Sequence, residues 1–291
     1  RGLDIGSGKD LCEFTLPAHA CFHPCTEPKT IPYHLIDIAS LSQEYSVFDY
    51  LMDYYKIFPA LTSRGLIPVT AGGTGMYLDA VIRGYNLIQV PVNIPLRENL
   101  NGKSMEELCK MLKDLKGELH NHTDTDERHR LIRAIEIEVF SSSREAEEQR
   151  KSMPPRPFIN PIILGTTFPR GMVRERVTIR LRERFKQGMI EEVKALHESG
   201  VSYERLERLG LEYRCIARFL QGKIQNEEKL FSELNTAIHQ FVKRQETWFR
   251  GMERKGVAIH WLKHDGSEKD CSVESRFQQA VQIITEELSA D

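Results

Sequence analysis

The feature that most constrains the fold of this chain is an alternation of strand-like and helix-like segments near its start. Residues 31–38 (IPYHLIDI) have the apolar run of a buried strand, and an amphipathic helix is predicted from a cap at Ser46 to about Arg64. A second apolar strand is predicted at 66–71, and the GGTG turn at 72–75 leads into a helix that begins near Met76. This order is typical of a parallel sheet with ligands at the carboxyl ends of its strands.

The rest of the chain is predicted to be mainly helical. Residues 91–156 are polar and helical without a convincing strand, which indicates an inserted subdomain. Strand character returns at 161–165 (PIILG) and at 257–262, and helices fill most of 170–252 between them. We therefore predict an α/β fold, with a core formed by residues 1–90 and 157–291 and a helical insertion formed by residues 91–156.

Composition excludes several classes of protein. The 291 residues are 40% apolar, enough for a sizeable core, and the net charge of −2 argues against a uniformly basic nucleic-acid coat. No apolar run approaches the ~20 residues that span a bilayer, and nothing at the start resembles a signal peptide. We expect a cytoplasmic protein whose six scattered cysteines are free thiols. The spacing of His19, Cys21, His23 and Cys25 matches no zinc module, so we predict no metal ligated by these side chains.

The segment 237–255 (AIHQFVKRQETWFRGMERK) is predicted to form a helix with an apolar stripe and a basic stripe. Phe241 and Trp248 belong to the apolar stripe and are predicted to anchor the helix. The basic side comprises His239, Lys243, Arg250 and Arg254. Gln245 falls within the apolar arc and should be bonded to backbone or ligand, because an unpaired buried amide costs roughly 1 to 3 kcal/mol. Two interpretations remain open: a solvated cationic face, or a face that contacts a polyanion.

Three further patterns are candidates for anion binding. The GGTG turn permits close backbone approach, and the helix N-terminus after it favours negative charge, although the turn can equally be a tight strand-to-helix connection. Arg130 and Arg133 lie one turn apart on a predicted helix, as do Arg180 and Arg184, and this spacing suits a phosphate or diphosphate. Each pair can also be solvated surface, the second paired with Glu183. No nucleophile with an adjacent base stands out, so covalent catalysis is not predicted.

Taken together and in order, the motifs of this chain resemble those of the tRNA dimethylallyltransferase (tRNA isopentenyltransferase) family. The matching motifs are RGLDIGSGKD at 1–10, IPYHLIDI at 31–38, YSVFDY at 45–50, PVTAGGTGMYLDAV at 68–81, LRE at 96–98, ERHRLIRAIE at 127–136, RLRERFKQGMIEEV at 180–193, RLGLEY at 208–213 and HQFVKRQETWFR at 239–250. Each motif is weak alone, but the ordered series extends from residue 1 to about 262 and is specific.

The resemblance implies a P-loop-type α/β core of the nucleotide-binding, ATP-binding class, with a helical insertion that closes over a tRNA anticodon stem-loop. It further implies transfer of a dimethylallyl group from dimethylallyl diphosphate to N6 of the adenosine 3′ of the anticodon, with Mg²⁺ on the diphosphate. The target base would leave its stack, and an aspartate would take the N6 proton. We expect a transferase that acts as a monomer.

The resemblance also assigns roles to residues. Thr74 would contact the flipped adenosine in the catalytic centre, and Arg180 and Arg184 are our candidates for the diphosphate. The tRNA-binding residues would be Arg97, His129, Arg130, Arg133, Arg208, Gly210, Glu212, His239, Gln240, Lys243, Arg244 and Gln245. Among them, Lys243 and Arg244 would contact phosphates.

The sequence departs from the family pattern in two places. It opens without an initiator methionine, and the family's phosphate-binding loop and the Asp-Ser motif that carries the general base would precede Arg1. We therefore expect an N-terminally truncated chain that is inactive and an intact parent that is active. The motif LGLEY at 209–213 replaces the commoner GY-type motif, which suggests a divergent branch. The alternatives are an isopentenyltransferase for free adenine nucleotides, a non-catalytic tRNA-binding paralogue and a small-molecule kinase.

Overall fold

Helices make up most of the computed structural model, which describes residues 1–16, 29–117, 127–262, 264 and 273–290. The helices are α1 (Val47–Thr62), α2 (Gly75–Arg83), α3 (Ile94–Asn101), α4 (Met105–Lys116), α5 (Arg128–Ser141), α6 (Arg144–Ser152), α7 (Arg170–Lys186), α8 (Met189–Glu198), α9 (Tyr203–Leu206), α10 (Leu211–Leu220), α11 (Glu227–Arg254) and α12 (Val273–Ala290), with a 3-10 turn at Leu11–Phe14. The strands are β1 (Thr15–Leu16), β2 (Lys29–Thr30), β3 (Leu164–Thr166) and β4 (His260–Leu262). None of the helices in these ranges combines the length and apolarity needed to cross a membrane.

Serine caps define the starts of two helices. The Ser46 hydroxyl accepts a hydrogen bond from the Asp49 N–H, and the Asp49 carboxylate accepts one from the Ser46 N–H at 2.8 Å. Ser104 and Glu107 form the same reciprocal arrangement at the start of α4. Capping satisfies backbone N–H groups that have no partner within the helix and is worth about 1 kcal/mol. The predicted cap at Ser46 is confirmed.

The parallel sheet is present but small. β3 and β4 pair in parallel, with Leu164 opposite His260. Strand character is therefore confirmed at both ends of the long helical region, which itself contains helices α7 to α11 as predicted. β1 and β2 form a separate antiparallel pair.

The two strands predicted before α2 are wrong. Residues 31–38 form no strand, because Leu35 and Asp37 adopt positive φ angles of 60° and 57°, which interrupts the extended backbone. Residues 66–71 have no ladder partner among the described residues, and Val69 is 89% exposed. An apolar pattern predicts burial, but a strand also requires a neighbour that accepts its backbone hydrogen bonds.

The chain divides into two compact units. Unit 1 comprises residues 1–45, 67–82 and 158–291, and unit 2 comprises residues 46–66 and 83–157. Buried side chains of α7 to α11, Tyr213 and Leu234 among them, form the core of unit 1. Side chains of α3, α4 and α5, Leu108 and Leu131 among them, form the core of unit 2. Helix α1 belongs to unit 2, whereas the sequence-based division grouped it with the α/β core, and that division into domains stays a prediction.

Candidate functional site

Helix α7 presents Arg180 and Arg184 to a carboxylate near the start of the chain. Arg184 donates to Asp10 and, at 3.1 Å, to the side-chain oxygen of Gln187, and its side chain is 14% exposed. Arg180 lies 3.4 Å from the same Asp10 oxygen and is 64% exposed. The hydrogen bond from Arg184 holds the pKa of the Asp10 carboxyl below its usual range. Arg184 is thus fixed in place, while Arg180 keeps most of its donors available.

The surroundings of Arg180 favour an anion-binding role. Glu183, the proposed partner in a solvated surface pair, instead contacts Lys186 at 2.8 Å. Gly8 has a φ of +68°, and a Cβ added there would lie 2.6 Å from Nη2 of Arg180, so the guanidinium packs directly against the loop backbone. Burial raises the pKa of Glu212 on α10, and the positive charge of Arg180 partly offsets this effect.

The GGTG turn packs against helix α11. The Gln245 side-chain amide donates to the carbonyl of Gly73 at 2.8 Å, which confirms that this amide is bonded to backbone. The indole of Trp248 lies against Gly75, where a Cβ would collide with it. Thr74, between the two contacts, is exposed at the start of α2. Thr74 is therefore accessible on a turn whose backbone contacts α11 on both sides of it.

The apolar stripe of α11 is less complete than predicted. Leu230, Leu234 and Met252 are buried, but Phe241 and Trp248 are 40% and 42% exposed. The expectation of a complete apolar stripe is therefore wrong at Phe241 and Trp248, because the buried side chains of the helix lie towards its two ends. Exposed aromatic rings beside cations can stack on nucleic-acid bases.

The basic stripe of α11 differs along its length. Lys243 and Arg244 are exposed and have no acidic partner among the described residues, and Gln240 is exposed beside them. His239 lies 3.3 Å from the carbonyl of Arg174 through Nε2. Arg250, by contrast, faces Glu246 and Glu253 at 3.7 and 3.9 Å. Positive charge without an acidic partner therefore remains at Lys243 and Arg244, whereas the charge of Arg250 is offset.

Three predicted tRNA-binding residues lie in the turn before α10 and in the first turn of that helix. Gly210 has a φ of +148°, a conformation that L side chains rarely adopt. Arg208 is exposed and lines an open cavity of about 390 Å³ together with Glu204, Glu207, Gln221 and Lys223. Glu212 follows in the first turn of α10, with its pKa raised by burial. The arrangement is polar and accessible, as contact with a polar ligand requires.

Two of the predicted arginines of unit 2, Arg97 and Arg133, contact a buried carboxylate. Glu136 on α5 is 1% exposed and accepts hydrogen bonds from Nε and Nη2 of Arg97 at 3.0 and 2.8 Å, from the Asn93 N–H at 2.6 Å, and from Arg133. Burial raises the pKa of Glu136, but these bonds outweigh it and lower the pKa to about 2. Arg97 and Arg133 therefore have a structural partner.

His129 and Arg130 have a looser arrangement. Both approach Glu127, at 3.4 and 3.3 Å, and their side chains are 78% and 49% exposed. Arg128, which sequence analysis did not single out, donates to the Leu100 and Asn101 carbonyls at the end of α3. His129 and Arg130 are thus the more accessible members of the predicted set in unit 2.

The sequence patterns did not identify two carboxylates, Asp10 and Glu136, that contact predicted arginines. Asp10 gave no periodic signal, because it lies in a turn far from Arg184 in the chain. Glu136 could have been found, since it falls among Leu131, Ile132 and Ile135 on an apolar helix face, where an acid requires a cationic partner. Residues 17–28, which include the His19, Cys21, His23 and Cys25 segment, lie outside the described residues.

Comparison with solved structures gives the class of fold. The chain aligns over its full length with a tRNA isopentenylpyrophosphate transferase from Bacillus halodurans at a TM-score of 0.57 and 24% identity, covering 87% of that chain. It also aligns with a eukaryotic dimethylallyltransferase acting on tRNA, at a TM-score of 0.63 and 19% identity, over 89% of this chain and 66% of that one. The fold is therefore that of the tRNA isopentenyltransferases.

Sequence comparison gives the family. The family model described as IPP transferase matches residues 19–252. A tRNA dimethylallyltransferase 2 of Treponema denticola is 47% identical over 90% of this chain and 83% of its own length. A tRNA dimethylallyltransferase 1 of Geotalea uraniireducens is 46% identical over 91% and 81%. The chain belongs to the IPP transferase family, which confirms the resemblance carried by its ordered motifs.

Proposed function

We propose that this protein transfers a dimethylallyl group from dimethylallyl diphosphate to N6 of the adenosine 3′ of the anticodon in tRNA. The observation that carries the proposal is the 47% identity to a tRNA dimethylallyltransferase over 90% of the chain. The cationic pair on α7 and the two cations of α11 without acidic partners, Lys243 and Arg244, support it, because the two substrates are a diphosphate and a polyanion. Because the proposed substrate is tRNA, we also propose that the protein acts in the cytoplasm. A P-loop-type core and a monomeric state are further parts of the proposal.

The reaction chiefly requires stabilisation of negative charge on the leaving group. N6 of the adenine attacks the first carbon of the dimethylallyl group, the bond from that carbon to oxygen breaks, and diphosphate leaves with both electrons. The N6 proton passes to a base, which the family resemblance identifies as an aspartate. We propose that Arg180 binds the diphosphate with donors that Asp10 leaves available, while Arg184 holds Asp10. We expect Arg180 to contribute most to diphosphate affinity.

Mg²⁺ is compatible with this site as an ion that enters with the diphosphate. Mg²⁺ is usually held by one or two carboxylates together with substrate phosphates. The described residues contain no group of three or more His, Cys, Asp or Glu side chains that could hold a metal ion. Asp10 is the carboxylate in contact with the two arginines and is the candidate for a single protein ligand. Bound there, the ion would neutralise charge on the leaving diphosphate.

The proposed tRNA contacts divide by accessibility. Lys243 and Arg244 are exposed without acidic partners, and we propose that they bind phosphates. Thr74 is proposed to contact the target adenosine, since its hydroxyl is exposed beside the fixed Gly73 carbonyl. Arg97 and Arg133 are proposed to act on tRNA from a position fixed by Glu136. The remaining proposed contacts are His129, Arg130, Arg208, Gly210, Glu212, His239, Gln240 and Gln245.

Nucleoside analysis tests the proposed function. The chain and the product of its complete coding sequence would each be incubated with unmodified tRNA, AMP, dimethylallyl diphosphate and Mg²⁺, followed by mass spectrometry of the nucleosides. Dimethylallyl adenosine from tRNA supports the proposal. Product from AMP alone would assign the protein to transferases of free nucleotides, and tRNA binding without product from the complete protein would leave a binding module.

A further inference from the structure

A carboxylate on α8 holds the loop at the start of the chain. Glu192 accepts hydrogen bonds from three successive backbone N–H groups, those of Asp4, Ile5 and Gly6, at 3.3, 2.6 and 3.3 Å. Successive N–H groups that converge in this way form a concave anion-binding nest. The anion that occupies this nest is part of the chain itself, so the loop is fastened to α8.

Tyr213 on α10 contacts both Glu192 and the loop. Its hydroxyl donates at 2.5 Å to Oε1 of Glu192, the oxygen that also accepts from the Gly6 N–H, and its side chain is 1% exposed. A Cβ added at Gly6 would lie 2.8 Å from Cζ of the Tyr213 ring, so the loop backbone rests directly on the ring. Burial raises the pKa of Tyr213, and the hydrogen bond to Glu192 raises it further. The hydroxyl therefore stays protonated and can act as a donor.

The far end of the same loop reaches the two arginines of α7. Lys9 contacts Asp37 at 2.6 Å and also pairs with Asp4, and its side chain is 13% exposed. Gly8 lies against the Arg180 guanidinium, and Asp10 accepts from Arg184. One short segment, residues 4–10, thus connects Glu192 at one end with both candidate diphosphate ligands at the other.

We infer that Glu192 and Tyr213 are positioning residues for diphosphate binding, acting through residues 4–10 on Arg180 and Arg184. This inference rests on the proposed function, because it concerns how the two arginines are oriented towards the leaving group. Neither Glu192 nor Tyr213 touches the substrate. Their contribution is a fixed loop against which Arg180 packs, so that its free donors point in one direction before the diphosphate arrives.

Steady-state kinetics of Glu192→Gln and Tyr213→Phe test the inference in the full-length protein. Glu192→Gln presents an amide group to backbone N–H donors, and Tyr213→Phe keeps the ring but removes the hydroxyl. We expect the KM for dimethylallyl diphosphate to rise about tenfold and about threefold respectively, because the first substitution weakens every charge-assisted hydrogen bond to Glu192 and the second removes one of them, while the KM for tRNA is unchanged. Glu191→Gln is the matched control, because Glu191 lies in the same first turn of α8 but is exposed.

Hydrogen exchange separates the inference from the proposed function. In Glu192→Gln the amides of residues 4–10 should exchange faster, while those of α10 and α11 keep their protection. Unchanged exchange at 4–10 would show that the carboxylate does not hold the loop. Faster exchange with an unchanged KM for dimethylallyl diphosphate, or an equal rise of both KM values, would overturn the positioning role. An inactive wild-type protein would refute the proposed function, and the exchange experiment would still decide whether the loop is held.

Discussion

Gly75 shows how a single hydrogen atom in place of a side chain permits the contact between the GGTG turn and α11. A methyl group there would collide with the indole of Trp248. We expect Gly75→Ala to displace the indole, which is 42% exposed and can move into solvent. The free energy of unfolding should therefore fall by about 1 kcal/mol, the lower end of the range for overpacking. The measurements are a red shift of tryptophan fluorescence and the urea unfolding midpoint.

Gly72→Ala is the matched control for that substitution. A Cβ at Gly72 would meet no atom within 4 Å, and Gly72 is exposed in the same turn. Its fluorescence and unfolding midpoint should stay close to those of the wild type. Equal shifts in the two variants would show that the turn itself, and not the contact with Trp248, is sensitive to substitution.

At the scale of elements, Glu136 connects α5 to α3 and to the segment before α3. Its pKa of about 2 lies below the ordinary value of 4.5, so its contribution to stability is present in full above about pH 4.5 and is lost as the pH falls towards 2. We expect Glu136→Gln to lower the free energy of unfolding by about 2 kcal/mol at pH 6, a moderate loss because both arginines are partly exposed. Urea unfolding at pH 6 and pH 2.5 measures this, and the difference from wild type should shrink at the lower pH.

Glu138→Gln is the control on the same helix. Glu138 pairs with Lys116 at 3.4 Å and is 26% exposed, and such pairs typically contribute about 0.2 to 1 kcal/mol. A loss in Glu136→Gln that is no larger than in Glu138→Gln, or that persists unchanged at pH 2.5, would contradict the account of the buried carboxylate.

Helix α11 provides a second prediction at this scale. Lys243 is exposed without an acidic partner in the described part of the chain, so on the proposed function it should release about one counterion when it meets a tRNA phosphate. We expect Lys243→Gln to weaken tRNA binding and to reduce the slope of log K against log salt by about one. Titrations of tRNA between 50 and 200 mM salt, measured by filter binding, would test this.

Lys229→Gln on the same helix is its control. Lys229 lies about 21 Å away along the axis, by the rise of about 1.5 Å per residue, and faces Glu233 at 3.9 Å. The slope of log K against log salt for tRNA binding by Lys229→Gln should match that of the wild type. A reduction of equal size in both variants would indicate that the helix acts through overall charge and not through a contact centred on 243–244.

For the whole molecule, sequence patterns predicted helices better than sheet. The start of α1 and the helices from α7 to α11 follow from local signals, namely a capping serine and apolar residues at helical spacing. The strands expected at 31–38 and 66–71 failed because pairing depends on residues distant in the chain, and because Asp37 takes a left-handed conformation that no periodicity reveals.

The candidate site was predictable where its residues share one helix. The spacing of Arg180 and Arg184 follows from the helical repeat, and the place of Gln245 within the predicted apolar arc indicated a bond to backbone or ligand, of which the structure has the bond to backbone. Asp10 and the contact of Glu192 with the first loop were not predictable, because Arg184 lies 174 residues from Asp10 and the backbone partners of Glu192 lie 186 to 188 residues from it. Phe241 was misplaced because an apolar arc on a helical projection does not show where the core ends.

Each compact unit has its own set of fully buried leucines, which allows the two cores to be probed separately. Leu234 belongs to the core of unit 1 and Leu131 to the core of unit 2, and both are 0% exposed. Truncation of either leucine to alanine should lower the free energy of unfolding by about 2 to 5 kcal/mol, through lost burial and the cavity that remains.

Because neither residue belongs to the other core, Leu234→Ala should lower the hydrogen-exchange protection of α10 and α11, and Leu131→Ala that of α4 and α5. Exchange measured by mass spectrometry on both variants checks this. Equal loss of protection in all four helices from either substitution would show that the two cores unfold as one cooperative structure.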